Sequence, residues 1–126
     1  MTQPRIRRNG RTDPQREFEE ELGKEIGRIF ERKKREIRIE ATLKLSFLED
    51  FPIIGEYVYG QAFPNEKLVV LEVYALYATK KEITRTICEE LLHIKHGPWT
   101  LEHGPEFWKM VEEAMARPIR VKKANC

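Results

Sequence analysis

The apolar residues of the chain change their spacing near residue 36. Up to that point they recur at roughly three- and four-residue intervals, as on one face of an α-helix. This helical stripe consists of Phe18, Leu22, Ile26, Ile29 and Phe30. Beyond it, apolar and polar residues alternate, which is typical of a half-buried β-strand. The alternating apolar positions are Ile37, Ile39, Ala41, Leu43, Leu45 and Phe47. The pattern predicts a helix over residues 12–34 and a strand over residues 37–47.

Two further strand signals flank a short turn. Residues 55–63 and 67–73 contain β-branched and aromatic side chains, and Pro64-Asn65-Glu66 lies between them. Segments of this kind on both sides of a turn predict a β-hairpin. We therefore expect a sheet of at least three strands.

Two more helices are predicted in the second half of the chain. Thr79 and Glu82 have the spacing of a capping box, which opens a helix. The apolar stripe of this helix consists of Ile83, Ile87, Leu91 and Ile94. Gly97 marks its end, and a last helix is expected over residues 105–117.

The predicted order of one helix, three strands and two helices defines an α+β fold. The chain has 126 residues, 40% of them hydrophobic and 35% charged, which is enough for one globular domain and too little for two. We expect this domain to cover residues 12–117, with a flexible basic arm at 1–11 and a basic C-terminal tail at 118–126.

Charge and hydropathy narrow the classes of function. The net charge of +2 argues against a dominant nucleic-acid surface, so weak DNA contact is expected only through the basic ends of the chain. The sequence has no apolar run of the roughly 18 residues that a membrane span needs, and its N-terminus lacks the apolar core of a signal peptide. We expect no membrane contact and a cytoplasmic location. Two cysteines do not make a disulfide framework, and Cys88 is expected to be a buried small side chain.

The residues with most chemical interest lie within residues 86–111, which hold every histidine of the chain. Glu89 and His93 are one helical turn apart, about 40° around the axis, so they share a face from which a metal site can be built. Glu90 lies between that face and the buried stripe. Shielding from water there would raise its pKa and suit a general base.

Two more histidines lie near this helix. His96 is close to its end, and His103 comes just beyond the following loop. The alternative interpretation is that these glutamates and histidines are a solvated helix face in a plain structural domain.

Two segments of the chain resemble the active-site segments of a known class of enzymes. EELLHIKH at residues 89–96 and HGPEFW at residues 103–108 resemble the active-site segments of minimal zincin metallopeptidases, especially the SprT-like, YgjP-like and minigluzincin families. Those families run from one helix through a small sheet to an active-site helix with His-Glu-x-x-His and a further helix. The resemblance covers roughly residues 14–116 and implies a hydrolase with one bound Zn²⁺, acting on peptide or unfolded protein substrates.

The resemblance also implies roles for individual residues. Glu90 stands at the position of the catalytic general base, and His93 and His103 stand at the positions of two zinc ligands. The chain departs from the family at the first histidine of the motif, which is Glu89 here. Zinc accepts carboxylate oxygen, so Glu89 is the predicted third ligand. The substitution would otherwise weaken binding, favour a harder metal, or leave the site inactive.

Both the ligand set and the function have alternatives. His96 would replace Glu89 if that residue does not bind, although its place favours the helix dipole. Glu102 is another alternative ligand, since gluzincins use a glutamate after the active-site helix. Substrate would add as a strand beside residues 67–73 or beside their hairpin partner. The alternative function is a catalytically inactive relative that binds protein or DNA.

Overall fold

The computed structural model describes residues 13–49, 56–97 and 104–116. Its elements are α1 (Asp13–Ile37), β1 (Thr42–Phe47), β2 (Val58–Phe63), β3 (Leu68–Val73), α2 (Lys80–His96) and α3 (Pro105–Ala116). This order confirms the predicted α+β fold with an N-terminal helix, a three-stranded sheet and two further helices. The predicted basic arm at 1–11 and the tail at 118–126 lie outside the described residues.

The first helix is longer than the sequence pattern indicates. It runs through Ile37, where Arg38 takes a left-handed φ of 66° and the amides of Arg38 and Ile39 both donate to the Lys34 carbonyl. Ile37 is buried because it continues the helical stripe one turn after the buried Lys33. The prediction of a strand from residue 37 is therefore wrong at its start, and β1 begins at Thr42. Ile37 fits both spacings, and helix packing outweighs the local alternation.

The sheet has β3 at its centre. β2 and β3 form the predicted antiparallel hairpin through a 3-10 turn at Pro64–Glu66. β1 pairs with the other side of β3 in parallel, which gives the strand order β1-β3-β2. The face that carries Val69, Leu71 and Val73 is buried beneath the helices. β2 is thus an edge strand, antiparallel to its neighbour.

The second helix lies between the sheet and the other two helices, because α2 packs against β2, α1 and α3. Its predicted capping box is confirmed: the Glu82 amide donates to Thr79 Oγ1 at 3.1 Å, and the Thr79 amide donates to Glu82 Oε1 at 2.9 Å. Its predicted apolar stripe is buried. Among the described residues, no helix has the length and apolar character to cross a bilayer.

The last helix is fixed to the first by a buried lysine. Lys33 Nζ donates to the carbonyl of Ala114 at 2.8 Å and pairs with Glu36 Oε1 at 2.8 Å. Both charged side chains are almost fully buried. The ion pair lies within α1, and the hydrogen bond from Lys33 to Ala114 joins this helix to the C-terminal end of α3 away from solvent.

Candidate functional site

The backbone of β2 crosses directly over α2 at Gly60. A Cβ atom at this position would lie 2.6 Å from Thr86 Cγ2, 2.9 Å from Glu90 Cγ and 3.1 Å from Glu90 Oε2. The first two distances are shorter than side chains tolerate, so residue 60 must be glycine for the strand to come this close. As a result, the main chain of an edge strand lies against the carboxylate of Glu90.

Glu90 is held in a shielded environment beneath this strand, with only 8% of the residue exposed. Burial raises the pKa of its carboxyl group from 4.5 to about 7, and the neighbouring Glu89 carboxylate adds to the shift. A carboxyl group with a pKa near neutrality can accept and release a proton at physiological pH. The shielding that the sequence predicts for Glu90 is confirmed.

A cleft of about 540 Å³ lies between β2 and α2. Residues 56–60 form its strand side, and Trp108 of α3 contributes to the lining. The helix side is formed by Glu82, Arg85, Thr86, Glu89 and Glu90. Ligand-binding clefts commonly have volumes of about 300–1,000 Å³, so this cleft is large enough to hold several residues of a peptide or a small molecule.

The cleft is acidic. Its carboxylates are those of Glu56, Glu82, Glu89 and Glu90. Its one cationic side chain among the described residues, Arg85, forms an ion pair with Glu112 at 2.7 Å and lies 5.2 Å from the ring centroid of Trp108. This balance attracts cations and basic side chains and opposes the entry of nucleic-acid phosphates.

Both histidines of α2 lie near the end of the helix, and packing against α3 fixes the first of them. The ring of His93 is buried and stacks on Phe107 of α3, with 4.6 Å between ring centroids and 17° between ring planes. His96 is half-buried in the last turn. The imidazole of His93 therefore lies against the helix that directly follows the predicted ligand His103 in the sequence.

These positions allow a partial comparison with a zinc site. Glu89 and His93 are one turn apart on α2, as the sequence predicts, and both types of side chain bind zinc. Among residues 13–49, 56–97 and 104–116, no three His, Cys, Asp or Glu side chains form a group that could hold a metal ion. The predicted ligand His103 and the alternative Glu102 lie outside the described residues. The described part of the chain thus supplies two donors of the predicted set.

The sheet order distinguishes the two strands that were expected to bind substrate. β3, at residues 68–73, is central and pairs on both sides, whereas its hairpin partner β2 is at the edge and lines the cleft. The strand that can accept an added strand beside Glu90 is therefore β2.

Two residues of this site did not emerge from the sequence pattern. Gly60 is the one glycine within the described strands, and a glycine inside a strand is a signal of close backbone approach that could have identified it. Arg85 gave no signal, because its contacts with Glu112 and Trp108 depend on how α3 packs.

Comparisons with known proteins add no relative to this description. No protein-family model, curated protein or solved structure gives a significant match to the chain.

Proposed function

We propose that the domain is a small zinc-dependent peptidase that hydrolyses peptide bonds in an extended or unfolded polypeptide, with Glu90 as general base. The proposal rests above all on the contact between Gly60 and Glu90. A buried carboxylate with a pKa near neutrality lies beneath the backbone of β2, which among the described residues pairs on one side only, and a cleft that can hold a peptide lies beside it.

The substrate would be held mainly by its main chain. A peptide that adds to the edge of β2 forms backbone hydrogen bonds that do not depend on its sequence. Gly60 brings this strand to within van der Waals contact of Glu90, so the peptide backbone beside it would also lie close to the carboxylate. Positioning of this kind supplies a large share of the rate enhancement in hydrolytic enzymes.

Glu89, His93 and His103 would hold the metal ion. When bound, zinc would supply Lewis-acid activation of the peptide carbonyl and of a water molecule. Glu90 would accept a proton at its carboxylate, whose Oε2 atom lies beside Gly60, and later deliver it to the departing amine. The stacking of His93 on Phe107 would fix the orientation of the imidazole.

A second function is a peptide-binding module without catalysis. It is favoured by Glu89, which replaces the histidine of related active sites and leaves a weaker ligand in its place. The acidic cleft favours a polypeptide over DNA as the partner at this surface. Weak DNA contact remains a proposal for the basic ends of the chain alone.

The experiment compares metal content and cleavage in the full chain and its variants. Zinc stoichiometry is measured after dialysis, and cleavage of casein is measured with zinc and with a chelator. We expect one zinc per chain in the wild type, loss of zinc in Glu89→Ala and His103→Ala, and full zinc content without cleavage in Glu90→Gln. Glu66→Gln, in the exposed turn of the hairpin, is the matched control and should match the wild type. Absence of bound zinc at micromolar concentrations would rule out the peptidase.

A further inference from the structure

All four tyrosines of the chain lie at one corner of the sheet. Tyr57 stacks on Tyr77 with 5.6 Å between ring centroids, and Tyr59 meets Tyr74 edge to face at 6.3 Å. Leu76, which lies between Tyr74 and Tyr77 in the sequence, is 63% exposed. This aromatic corner brings together residues at the start of β2 and just after β3, and no local sequence pattern indicates it.

The aromatic corner is continuous with the cleft. Val58 and Ala62 pack against the core, so the alternating Tyr57 and Tyr59 stand on the opposite, outer face of the sheet. Both tyrosines also border the cleft that contains Glu90. The rim of the cleft is therefore aromatic on the outer side of β2 and acidic on the side of α2.

The free edge of β2 offers hydrogen-bonding groups to a new strand. The amide of Tyr74 donates to the carbonyl of Tyr57 at 2.9 Å, so Tyr57 and Tyr59 point their backbone groups toward β3. The alternating residues Val58, Gly60 and Ala62 then direct their N–H and C=O groups outward. In the part of the chain that the structure describes, β2 pairs with β3 alone.

We propose that the aromatic corner is a specificity site for an extended polypeptide with alternating aromatic and basic side chains. The inference rests on the proposed function only for placing a peptide along β2. A residue opposite Tyr59 would stand on the outer face, with its Cβ about 4.5–5.5 Å from that of the tyrosine. Aromatic side chains there extend the pairs that Tyr59 and Tyr57 already form.

Charge determines which side chains fit on the other face of the same peptide. Residues that alternate with the aromatic ones would point toward α2 and meet the carboxylates of Glu56 and Glu89. Arg85, the one cation that lines the cleft in the described part of the chain, is already paired with Glu112. Basic side chains therefore complement this side, and acidic ones are repelled.

The test measures binding without cleavage. Glu90→Gln protein in chelator is titrated with three fluorescein-labelled nine-residue peptides, alternating Lys and Tyr, Lys and Ser, or Glu and Tyr. The Lys/Tyr peptide should bind about three- to tenfold more tightly than the Lys/Ser peptide, because each aromatic contact adds a small increment. The Glu/Tyr peptide should bind more weakly still, with the difference shrinking at high salt.

Variants assign the effect to the aromatic corner. Tyr59→Thr should weaken the Lys/Tyr peptide about three- to tenfold and leave the Lys/Ser peptide unchanged, whereas Tyr59→Phe should retain tight binding. Phe18→Ser is the matched control, since Phe18 is an aromatic residue of α1 that is 47% exposed outside this corner. It should change neither affinity.

The outcomes separate this proposal from the peptidase. Equal affinity for the Lys/Tyr peptide and either other peptide, or an unchanged affinity in Tyr59→Thr, overturns the specificity site even if casein is cleaved. Selective binding by a chain that never cleaves casein supports the site and removes only the catalytic proposal. Failure of every peptide to bind also overturns it, and sedimentation then shows whether a second copy of the chain covers the edge as a dimer.

Discussion

Gly60 and Glu90 meet across the interface of β2 and α2 with no room for a side chain between them. A Cβ atom on residue 60 would lie 2.9 Å from Cγ and 3.1 Å from Oε2 of Glu90. The absence of that one carbon allows an edge strand to cover a carboxylate closely enough to shield it from water. Burial at this interface raises the pKa of Glu90, and both residues line the cleft.

Replacement of this glycine should therefore separate the strand from the helix. Gly60→Ala is expected to cost about 1–3 kcal/mol of unfolding free energy, because overpacking forces backbone shifts. Thr86→Ser removes the Cγ2 methyl group, which would lie 2.6 Å from the new Cβ atom. The double variant Gly60→Ala with Thr86→Ser should therefore recover part of the lost unfolding free energy. Urea denaturation measures both effects.

Gly27 is the matched control for this change. It lies within α1, and a Cβ atom there would meet nothing within 4 Å. Gly27→Ala should stabilise the protein by roughly 0.5–1 kcal/mol, because alanine favours the helix. Equal effects of the two substitutions would show that the contact at Gly60 is not close.

The raised pKa of Glu90 makes its ionisation unfavourable for folding. The folded state holds the proton more tightly than the unfolded chain, so this contribution to stability is full below pH 4.5 and is lost as the pH rises to about 7. Glu90→Gln cannot ionise and should be more stable than the wild type above pH 7. At roughly 1.4 kcal/mol per pKa unit, the shift from 4.5 to about 7 corresponds to a gain of about 3 to 3.5 kcal/mol in metal-free protein.

The measurement is urea denaturation in chelator at pH 5 and pH 8, with Glu66→Gln as an exposed control. The gain in unfolding free energy of Glu90→Gln over the wild type should be small at pH 5 and large at pH 8. The control should show no gain at either pH. A loss of stability in Glu90→Gln at pH 8 would mean that the carboxylate has a structural partner and is not a strained functional group.

The buried ion pair of Lys33 and Glu36 lies within α1, and its lysine also bonds to α3, so the fold should be sensitive to loss of this cation. Lys33→Met removes the bond to Ala114 and leaves Arg32, at 4.0 Å, as the remaining cation beside the buried Glu36 carboxylate among the described residues. We expect a cost of about 3 kcal/mol, because an uncompensated buried charge is expensive. Lys33→Met with Glu36→Gln should recover part of that cost.

An exposed lysine of the same helix provides the comparison. Lys24 forms an ion pair with Glu21 at 3.3 Å, and both side chains are mostly exposed. Lys24→Met should change the free energy of unfolding by less than about 0.5 kcal/mol. Similar denaturation midpoints for the two lysine variants would contradict a stabilising role for the buried pair.

The sequence predicted the elements of this fold better than their arrangement. The hairpin, the capping box at Thr79 and the shielding of Glu90 follow from local spacing, and the structure confirms them. The parallel pairing of β1 with β3 does not follow from spacing, because it joins segments separated by the whole of β2. The end of α1 was missed because Ile37 fits two periodicities at once.

The candidate site shows the same division. Glu89 and His93 lie one helical turn apart on α2, and this spacing could be predicted from the sequence alone. The approach of Gly60 and the joining of all tyrosines depend on tertiary packing, so they appear only in three dimensions.

Cys88 is the buried core side chain that the sequence predicts. Burial raises the pKa of its thiol from 9.0 to about 11, so the reactive thiolate is scarce at neutral pH. In a Cys126→Ser variant, labelling of Cys88 by a thiol reagent at pH 8 should be at least roughly a hundredfold slower in buffer than in urea, since reaction requires opening of the core. Comparable rates in the two solvents would contradict this burial.

The role proposed for Glu90 is that of proton acceptor in a zinc-dependent peptidase. The most direct measurement is the rate of casein cleavage by wild-type and Glu90→Gln proteins that each carry one zinc ion per chain. Because general base catalysis contributes about 10²–10⁴-fold, we predict a rate at least about a hundredfold lower in the variant. Equal rates in the two proteins, or no zinc-dependent cleavage by the wild type, would contradict this role.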